Sequence, residues 1–103
     1  MEKFTDVTVA AAANIYFDGK VTSRTLEFAD GSRKTLGIML PGDYEFSTSQ
    51  EEKMEITVGD LLVKLPGQVD WQQIRGGDHF MVPANASFQL QVRQVTDYIC
   101  SYY

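Results

Sequence analysis

The chain has 103 residues, of which 44% are hydrophobic, and this length suits one compact domain. Nine basic residues against fourteen acidic ones give a net charge of −5, and no basic run could follow a phosphate backbone, so a nucleic acid polymer is not an expected partner. The single cysteine cannot form an internal disulfide, the first residues are unlike a secretory signal, and no stretch reaches the ~18 apolar residues of a membrane span, so we expect a cytoplasmic protein without membrane attachment.

Residues 1–13 form the first segment, and they end in four alanines without clear hydrophobic alternation. A frayed arm, a short helix and an edge strand all fit this pattern, so we treat these residues as an N-terminal extension of uncertain structure. From residue 14 onward, short segments are separated by Asp-Gly, Pro-Gly and Gly-Gly pairs. Such pairs are typical of hairpins and tight corners, so residues 14–103 are predicted to form one all-β domain.

Hydrophobic alternation supports strands in the second half of the chain. In residues 54–58 and 88–92 every second residue is apolar, which is typical of a strand with one wet and one dry face. Residues 61–65 are more densely apolar, as in a strand covered on both sides, and residues 98–102 place Tyr, Cys and Tyr on one face. About eight short strands without a long crossover predict a sandwich or small barrel.

The spacing around residues 77–88 resembles the second signature of the cupin superfamily. Gly77 and Pro83 match it, and Asn85 replaces its second glycine, a position whose left-handed backbone asparagine tolerates. Phe88 stands where the signature has a metal-binding histidine. His79 lies nine residues earlier, near the start of another strand, and does not replace that ligand.

The first cupin signature is matched in the same partial way. Glu52 and Gly59 have the spacing of its glutamate and glycine, while Phe46 and Thr48 stand at its two histidine positions. Only Glu52 among the four ligand positions keeps a metal-binding side chain, and one carboxylate does not retain a transition metal. We therefore predict no bound metal and no other cofactor.

The pattern from residue 14 to the C-terminus resembles more closely a family of small single-domain cupins, the pyrimidine/purine nucleoside phosphorylases. The matching segments occur in the family's order: YFDGKV (16–21), YEFST (44–48), EKMEITVG (52–59), DW (70–71), VPANASFQLQV (82–92) and YICSY (98–102). The resemblance implies a jelly-roll β-barrel over residues 14–103, assembled as a homodimer. It also implies a metal-independent pentosyltransferase of broad specificity, which converts a nucleoside and inorganic phosphate into a free base and pentose 1-phosphate.

This reaction needs a pocket that binds the phosphate anion, groups that bind the ribose hydroxyls and an aromatic or apolar surface that binds the base. Ser47 and Thr48 are the phosphate candidates because two hydroxyls and two backbone N–H groups meet at a strand end, and Lys20 and Arg93 are candidate cationic partners. A plain Ser/Thr turn and solvated basic side chains are the alternatives. The cupin register points Thr48 into the barrel and thereby favours a site role.

Glu52 is the candidate for the ribose, because a carboxylate accepts hydrogen bonds from two vicinal hydroxyls and favours positive charge on the sugar. Glu52 and Thr48 are together the predicted catalytic pair. A surface carboxylate within the QEEK stretch is the alternative for Glu52.

Aromatic side chains provide the predicted base slot. Tyr16, Phe46 and Phe88 are the nucleoside-binding candidates beside Glu52, since stacking accepts purines and pyrimidines alike. Core packing is the alternative for each of them, and Trp71 fits packing or an interface better. His79, the only histidine, fits a loop or strand start better than a general base, and Cys100 fits a small buried hydrophobe.

Two other function classes stay open at this point. A metal-free cupin could bind a sugar, nucleoside or small organic acid without catalysis, and an interaction protein could use the aromatic segment DYICSYY at an interface. An anion site beside a sugar-sized cavity would favour the enzyme.

Overall fold

The computed structural model describes residues 2–103, and nearly all of its regular secondary structure consists of short strands. A 3₁₀ turn at Phe17–Gly19 separates the second strand from the third. Within residues 2–103, no helix has the length and apolar character needed to cross a membrane. The strands are β1 (Thr8–Val9), β2 (Asn14–Tyr16), β3 (Val21–Glu27), β4 (Arg33–Met39), β5 (Gly42–Ser47), β6 (Glu52–Val58), β7 (Asp60–Lys64), β8 (Gln72–Arg75), β9 (His79–Val82), β10 (Ser87–Val92) and β11 (Thr96–Tyr102).

The strands form two antiparallel sheets that pack face to face. The larger sheet has the order β1-β3-β4-β11-β6-β9, with β2 also paired to β3, and the smaller sheet has the order β5-β10-β7-β8. Neighbours such as β4 and β11 are distant in sequence, as in a jelly roll. The all-β prediction is confirmed, with two separate sheets in place of a barrel closed by one continuous hydrogen-bonded ladder.

The N-terminal extension contains an edge strand, one of the three structures that its sequence left open. Thr8 and Val9 pair with the end of β3, and Asn14–Tyr16 pair with its beginning, so β1 and β2 share one edge of the larger sheet. Phe4 packs edge-on against Phe28, with ring centroids 5.7 Å apart. The extension therefore lies along the sheet.

Period-two alternation places one row of side chains from each strand between the sheets. Burying a large apolar side chain there stabilises the fold by about 1.5–3 kcal/mol, so these residues supply much of the stability. Truncating one of them to alanine would cost about 2–5 kcal/mol. The apolar residues with the least exposure are Val21, Met39, Ile56, Leu61, Val63, Val82 and Leu90.

Gly37 on β4 explains how one buried tyrosine reaches the space between the sheets. It pairs with Tyr98 on β11, and a Cβ atom at residue 37 would overlap both the Tyr98 ring and the backbone carbonyl of Thr22. The missing side chain therefore makes room for the Tyr98 ring over β4. This ring forms part of the cavity described next.

Candidate active site

A cavity of about 150 Å³ lies between the two sheets. The larger sheet supplies a mostly polar wall, which includes Ser23, Thr35, Glu52, Tyr98, Cys100 and Tyr102, and the smaller sheet supplies Phe46, Ser47 and Phe88. Strand register explains the polar wall: Thr35 pairs with Cys100, and Tyr102 pairs with Glu52, so β4, β11 and β6 bring their side chains to one face. A small molecule in this cavity would contact hydroxyls on one side and aromatic rings on the other.

Glu52 provides the carboxylate of the cavity. Its side chain is half-buried, and its Oε1 accepts a hydrogen bond from the Cys100 thiol at 3.4 Å. Burial raises the pKa of Glu52, while the Cys100 hydrogen bond and the positive charge of Arg33 oppose this rise. Oε1 is thereby oriented by Cys100, and Oε2 is available to accept hydrogen bonds from a ligand.

The groups around Glu52 are neutral hydrogen-bonding groups. Burial, reinforced by the nearby Glu52 charge, raises the pKa of Cys100 to about 12, so its thiol stays protonated and donates. Burial also raises the pKa values of Tyr98 and Tyr102. The Tyr102 hydroxyl lies 3.1 Å from the Thr35 hydroxyl, which places a second polar pair beside the carboxylate.

Sequence reasoning did not single out Ser23, Thr35, Tyr98 or Tyr102 as site residues. The alternation at residues 98–102 placed the two tyrosines on one face of a strand, and this was the sequence signal that could have identified them. Ser23 has a further polar partner, because the Asn14 side-chain amide donates to its hydroxyl at 3.2 Å. The polar wall therefore continues to β2 at the sheet edge.

The aromatic wall is built around Phe46 and Phe88. Their rings stack with centroids 5.9 Å apart and an interplanar angle of 26°, because the two residues pair directly across β5 and β10. Tyr16 meets Phe46 edge-on at 6.1 Å. Tyr16 is 44% exposed, so it marks the side of the cavity that faces solvent.

Phe17 extends the aromatic wall, and sequence reasoning missed it. Its ring centroid lies 5.4 Å from that of Phe46 and 4.9 Å from that of Tyr44. The backbone of Phe17 has φ of 51°, a left-handed conformation that is costly for a bulky residue. The FDGK turn after β2 was the only sequence signal for this unusual position.

The three predicted phosphate residues lie in different surroundings. Ser47 lines the cavity, and its hydroxyl is 3.2 Å from that of Ser87. The hydroxyl of the buried Thr48 donates to the Pro83 carbonyl at 2.7 Å and accepts from the Ala86 N–H at 3.1 Å. Lys20 is exposed, in the turn before β3, and does not form part of the cavity wall.

The remaining residues considered from the sequence lie away from the cavity. His79 is exposed and pairs with Glu55, whose side chain points to the outer face of the larger sheet. Arg93 comes directly after the C-terminal end of β10, and its backbone N–H donates to the Asp60 backbone carbonyl. Trp71 is 37% exposed and precedes β8. The structure thus brings Tyr16, Phe46, Ser47, Glu52 and Phe88 together and leaves these others outside.

The family model described as pyrimidine/purine nucleoside phosphorylase matches residues 11–102. The chain belongs to this family. A protein from a Sulfurovum species named pyrimidine/purine nucleoside phosphorylase is 60% identical over 102 residues, with 99% of both chains covered. A protein of the same name from Leptospira interrogans is 56% identical over 102 residues, covering 99% of this chain and 96% of that one. The resemblance predicted from the sequence segments is therefore confirmed.

Solved structures confirm the fold of this family member as a cupin. A protein of unknown function from an Acinetobacter species has a TM-score of 0.95 at 38% identity, covering 98% of both chains. A cupin from Shewanella frigidimarina has a TM-score of 0.70 at 14% identity, covering 97% of this chain and 86% of that one. The second likeness concerns the fold alone.

The cupin ligand positions could in principle form a metal site, but the side chains that this family member has there do not fit a metal ion. Phe46, Glu52 and Phe88 meet in the cavity at three of the predicted ligand positions, but only Glu52 carries a donor atom. In the part of the chain that the structure describes, no group of three or more His, Cys, Asp or Glu residues could hold a metal ion. The neighbouring Cys100 sulfur would add only a second donor, fewer than the three or four protein ligands of a typical zinc site.

Proposed function

We propose that the chain is a metal-independent nucleoside phosphorylase of broad specificity, acting as a pentosyltransferase. The observation that carries the proposal is the half-buried Glu52 carboxylate, which faces the stacked Phe46 and Phe88 rings across a small cavity. The names of its close relatives support a phosphorylase. The two walls of the cavity also allow the ribose, the base and the phosphate to be assigned to different parts of the site.

In the proposed reaction, a phosphate oxygen forms a bond to C1′ of the sugar while the bond from C1′ to the base nitrogen breaks. The electron pair of the broken bond leaves with the base, which takes a proton from water or from dihydrogen phosphate. Positive charge develops on the sugar in the transition state, and preorganised negative charge near it lowers the barrier. Glu52 is the acidic residue of the cavity wall and is assigned this role.

Glu52 also has the geometry to hold the ribose. One oxygen accepts from Cys100, so the other is available for a sugar hydroxyl, and the Thr35 and Tyr102 hydroxyls lie beside it. A hydroxyl-rich wall replaces the hydrogen bonds that a sugar loses when it leaves water. The cavity is open on one side, and its volume of about 150 Å³ suits a pentose better than a whole nucleoside, given that a water molecule occupies about 30 Å³.

The base is accordingly assigned to the open side of the cavity, against Tyr16, Phe46 and Phe88. Aromatic faces stack on purines and pyrimidines alike, because stacking depends little on the hydrogen-bonding pattern of the base edge. A polar residue that reads the base edge would narrow the specificity. The aromatic composition of this wall therefore favours a broad substrate range.

Phosphate is assigned to the rim near Ser47, an exposed residue at the end of β5 that borders the cavity. The phosphate roles of Thr48 and Lys20 remain predictions. The Thr48 hydroxyl is engaged by the turn at residues 83–86, and Lys20 would need to swing toward the rim from its exposed turn.

The proposal includes a cytoplasmic homodimer, as expected from the sequence. Ile15 and Ile38 are exposed apolar side chains that flank Thr22 on the outer face of the larger sheet, and the exposed Leu40 follows β4. A second subunit would cover this apolar face. Light scattering at micromolar concentration should give about twice the 11.6 kDa chain mass. A monomer at that concentration would contradict the dimer and leave the catalytic proposal standing.

The catalytic proposal is tested with a panel of purine and pyrimidine nucleosides incubated with purified protein, with and without phosphate. We expect base release only when phosphate is present, and activity should survive a chelator. Base release without phosphate would indicate a hydrolase, and no release from any nucleoside would favour the non-catalytic binder. The Glu52→Gln variant is the control for activity from a contaminating enzyme.

A further inference from the structure

Phosphate binding requires positive charge near the cavity, and the strands described in residues 2–103 supply one inward-facing cation. Arg33 begins β4 two residues before the buried Thr35, so the two residues share the inner face of the larger sheet, with Arg33 exposed at the end of the strand and outside the cavity lining. The other basic residues on the strands alternate with buried or inward-facing neighbours and therefore point outward. They are Lys34 on β4 itself and Arg24, Lys53, Lys64 and Arg75 on other strands.

The Arg33 side chain is held in place by two neighbours. Its guanidinium carbon lies 3.9 Å from the centroid of the Tyr102 ring, and its Nη2 donates to the Gln50 side-chain oxygen at 2.9 Å. A guanidinium has five N–H donors in a planar fork, and only one of them is used in this contact. The remaining donors are free to bind a tetrahedral anion with little loss of side-chain freedom.

Arg33 is connected to the cavity through Tyr102, the ring over which its guanidinium lies. Tyr102 lines the cavity and pairs with Glu52 across β11 and β6, so Arg33, Tyr102 and Glu52 follow one another across the sheet. The Arg33 charge opposes the burial-driven rise in the pKa of Glu52, which agrees with their proximity. A cation and a carboxylate thus stand on either side of one aromatic ring at the rim.

Acidic charge dominates the surroundings of Arg33. Glu27 lies opposite it in the β3–β4 register, and the whole chain carries a net charge of −5. A phosphate dianion would be repelled from this rim without a local cation. Arg33 is the basic residue that can offset this repulsion beside Glu52.

We propose that Arg33, stacked on Tyr102, binds the phosphate that attacks C1′. The inference rests on the proposed phosphorylase function and places the anion next to the carboxylate that holds the ribose. The Arg33 guanidinium would then bind the phosphate, and the Glu52 carboxylate would bind the sugar. Two parallel N–H donors suit two phosphate oxygens, so arginine should be better here than lysine.

The test compares Arg33→Gln and Arg33→Lys with Arg93→Gln, a matched loss of charge at an exposed site outside the cavity. Phosphate is varied at saturating nucleoside, and nucleoside at saturating phosphate. We expect the KM for phosphate to rise on the order of 10- to 100-fold in Arg33→Gln, as for a lost hydrogen bond to a charged group, and by less in Arg33→Lys. The KM for nucleoside should stay within about twofold, and Arg93→Gln should behave like the wild type.

Calorimetric titration with inorganic phosphate gives a readout that does not require turnover. Phosphate binding by the wild type and Arg93→Gln, with weak binding by Arg33→Gln, would support the anion site even if no nucleoside were cleaved. Equal phosphate affinity in Arg33→Gln and the wild type would overturn the assignment while leaving the phosphorylase proposal intact. A wild-type protein that binds no phosphate would overturn both.

Discussion

Replacing Thr48 with valine separates two roles for this residue. Its hydroxyl joins the end of β5 to the turn at residues 83–86, donating to the Pro83 carbonyl and accepting from the Ala86 N–H. Valine has nearly the same shape but no hydroxyl, so both backbone groups lose a partner. With about 1–2 kcal/mol for each group, the free energy of unfolding should fall by about 2–4 kcal/mol. At roughly 4–8 °C per kcal/mol for a chain of this size, Tm should fall by about 8–32 °C.

Thermal melts and phosphate kinetics at a temperature where each variant is folded provide the assay. Thr48→Ser keeps the hydroxyl and is the matched control, with a smaller change in Tm. If Thr48 serves the turn alone, the KM for phosphate should not change in Thr48→Val. A variant that melts like the wild type but needs much more phosphate would refute this reasoning and support the phosphate role predicted from the sequence.

Four further predictions concern the two walls of the cavity and the larger sheet. Glu52→Gln should reduce turnover by on the order of 10²-fold, measured by base release, and an active variant would contradict the site. Because burial raises the pKa of Glu52, the stability linked to its protonation is present at low pH and is lost as pH rises through the folded-state pKa. The Tm of Glu52→Gln relative to the wild type should therefore increase as pH rises above about 4, the usual pKa of a free glutamate, and a pH-independent difference would argue against a buried carboxylate. Phe88→Ala should lower the unfolding free energy in denaturant titrations by about 3–5 kcal/mol and raise the KM for nucleoside, whereas an unchanged KM would place the base elsewhere. Gly37→Ala should lower Tm by displacing the Tyr98 ring, and an unchanged Tm would mean that the backbone shifts to accommodate the methyl group without loss of stability.

The sequence predicted the fold because local patterns are enough for this architecture. Turn signals divided the chain into short segments, and period-two alternation identified the buried faces of residues 54–56 and 88–92. Val58 is the exception: it is 57% exposed, at the end of β6 where the register with β11 shifts. The same alternation carries Phe46, Glu52 and Phe88 into one cavity, as their cupin spacing predicted. Residues 1–13 had no such pattern, and their edge strand depends on pairing with β3.

The polar partners of the site could not be predicted, because alternation assigns faces but not strand neighbours. Arg33 meets Tyr102 only because β4 pairs with β11, and the two residues are far apart in the chain. Thr48 finds its hydrogen-bond partners 35 and 38 residues away, so nothing local marked it as a residue that holds a turn. His79 is different: the buried Phe80 and Val82 set the phase of β9, and this phase alone points His79 away from the cavity.

The measurement that tests the account most directly is phosphorus NMR of the wild-type protein incubated with a nucleoside and inorganic phosphate. We predict a pentose 1-phosphate signal that grows in step with free base and is absent from a matched reaction with Glu52→Gln. Free base that accumulates as the phosphate signal stays constant would contradict the proposed transfer of the pentose to phosphate.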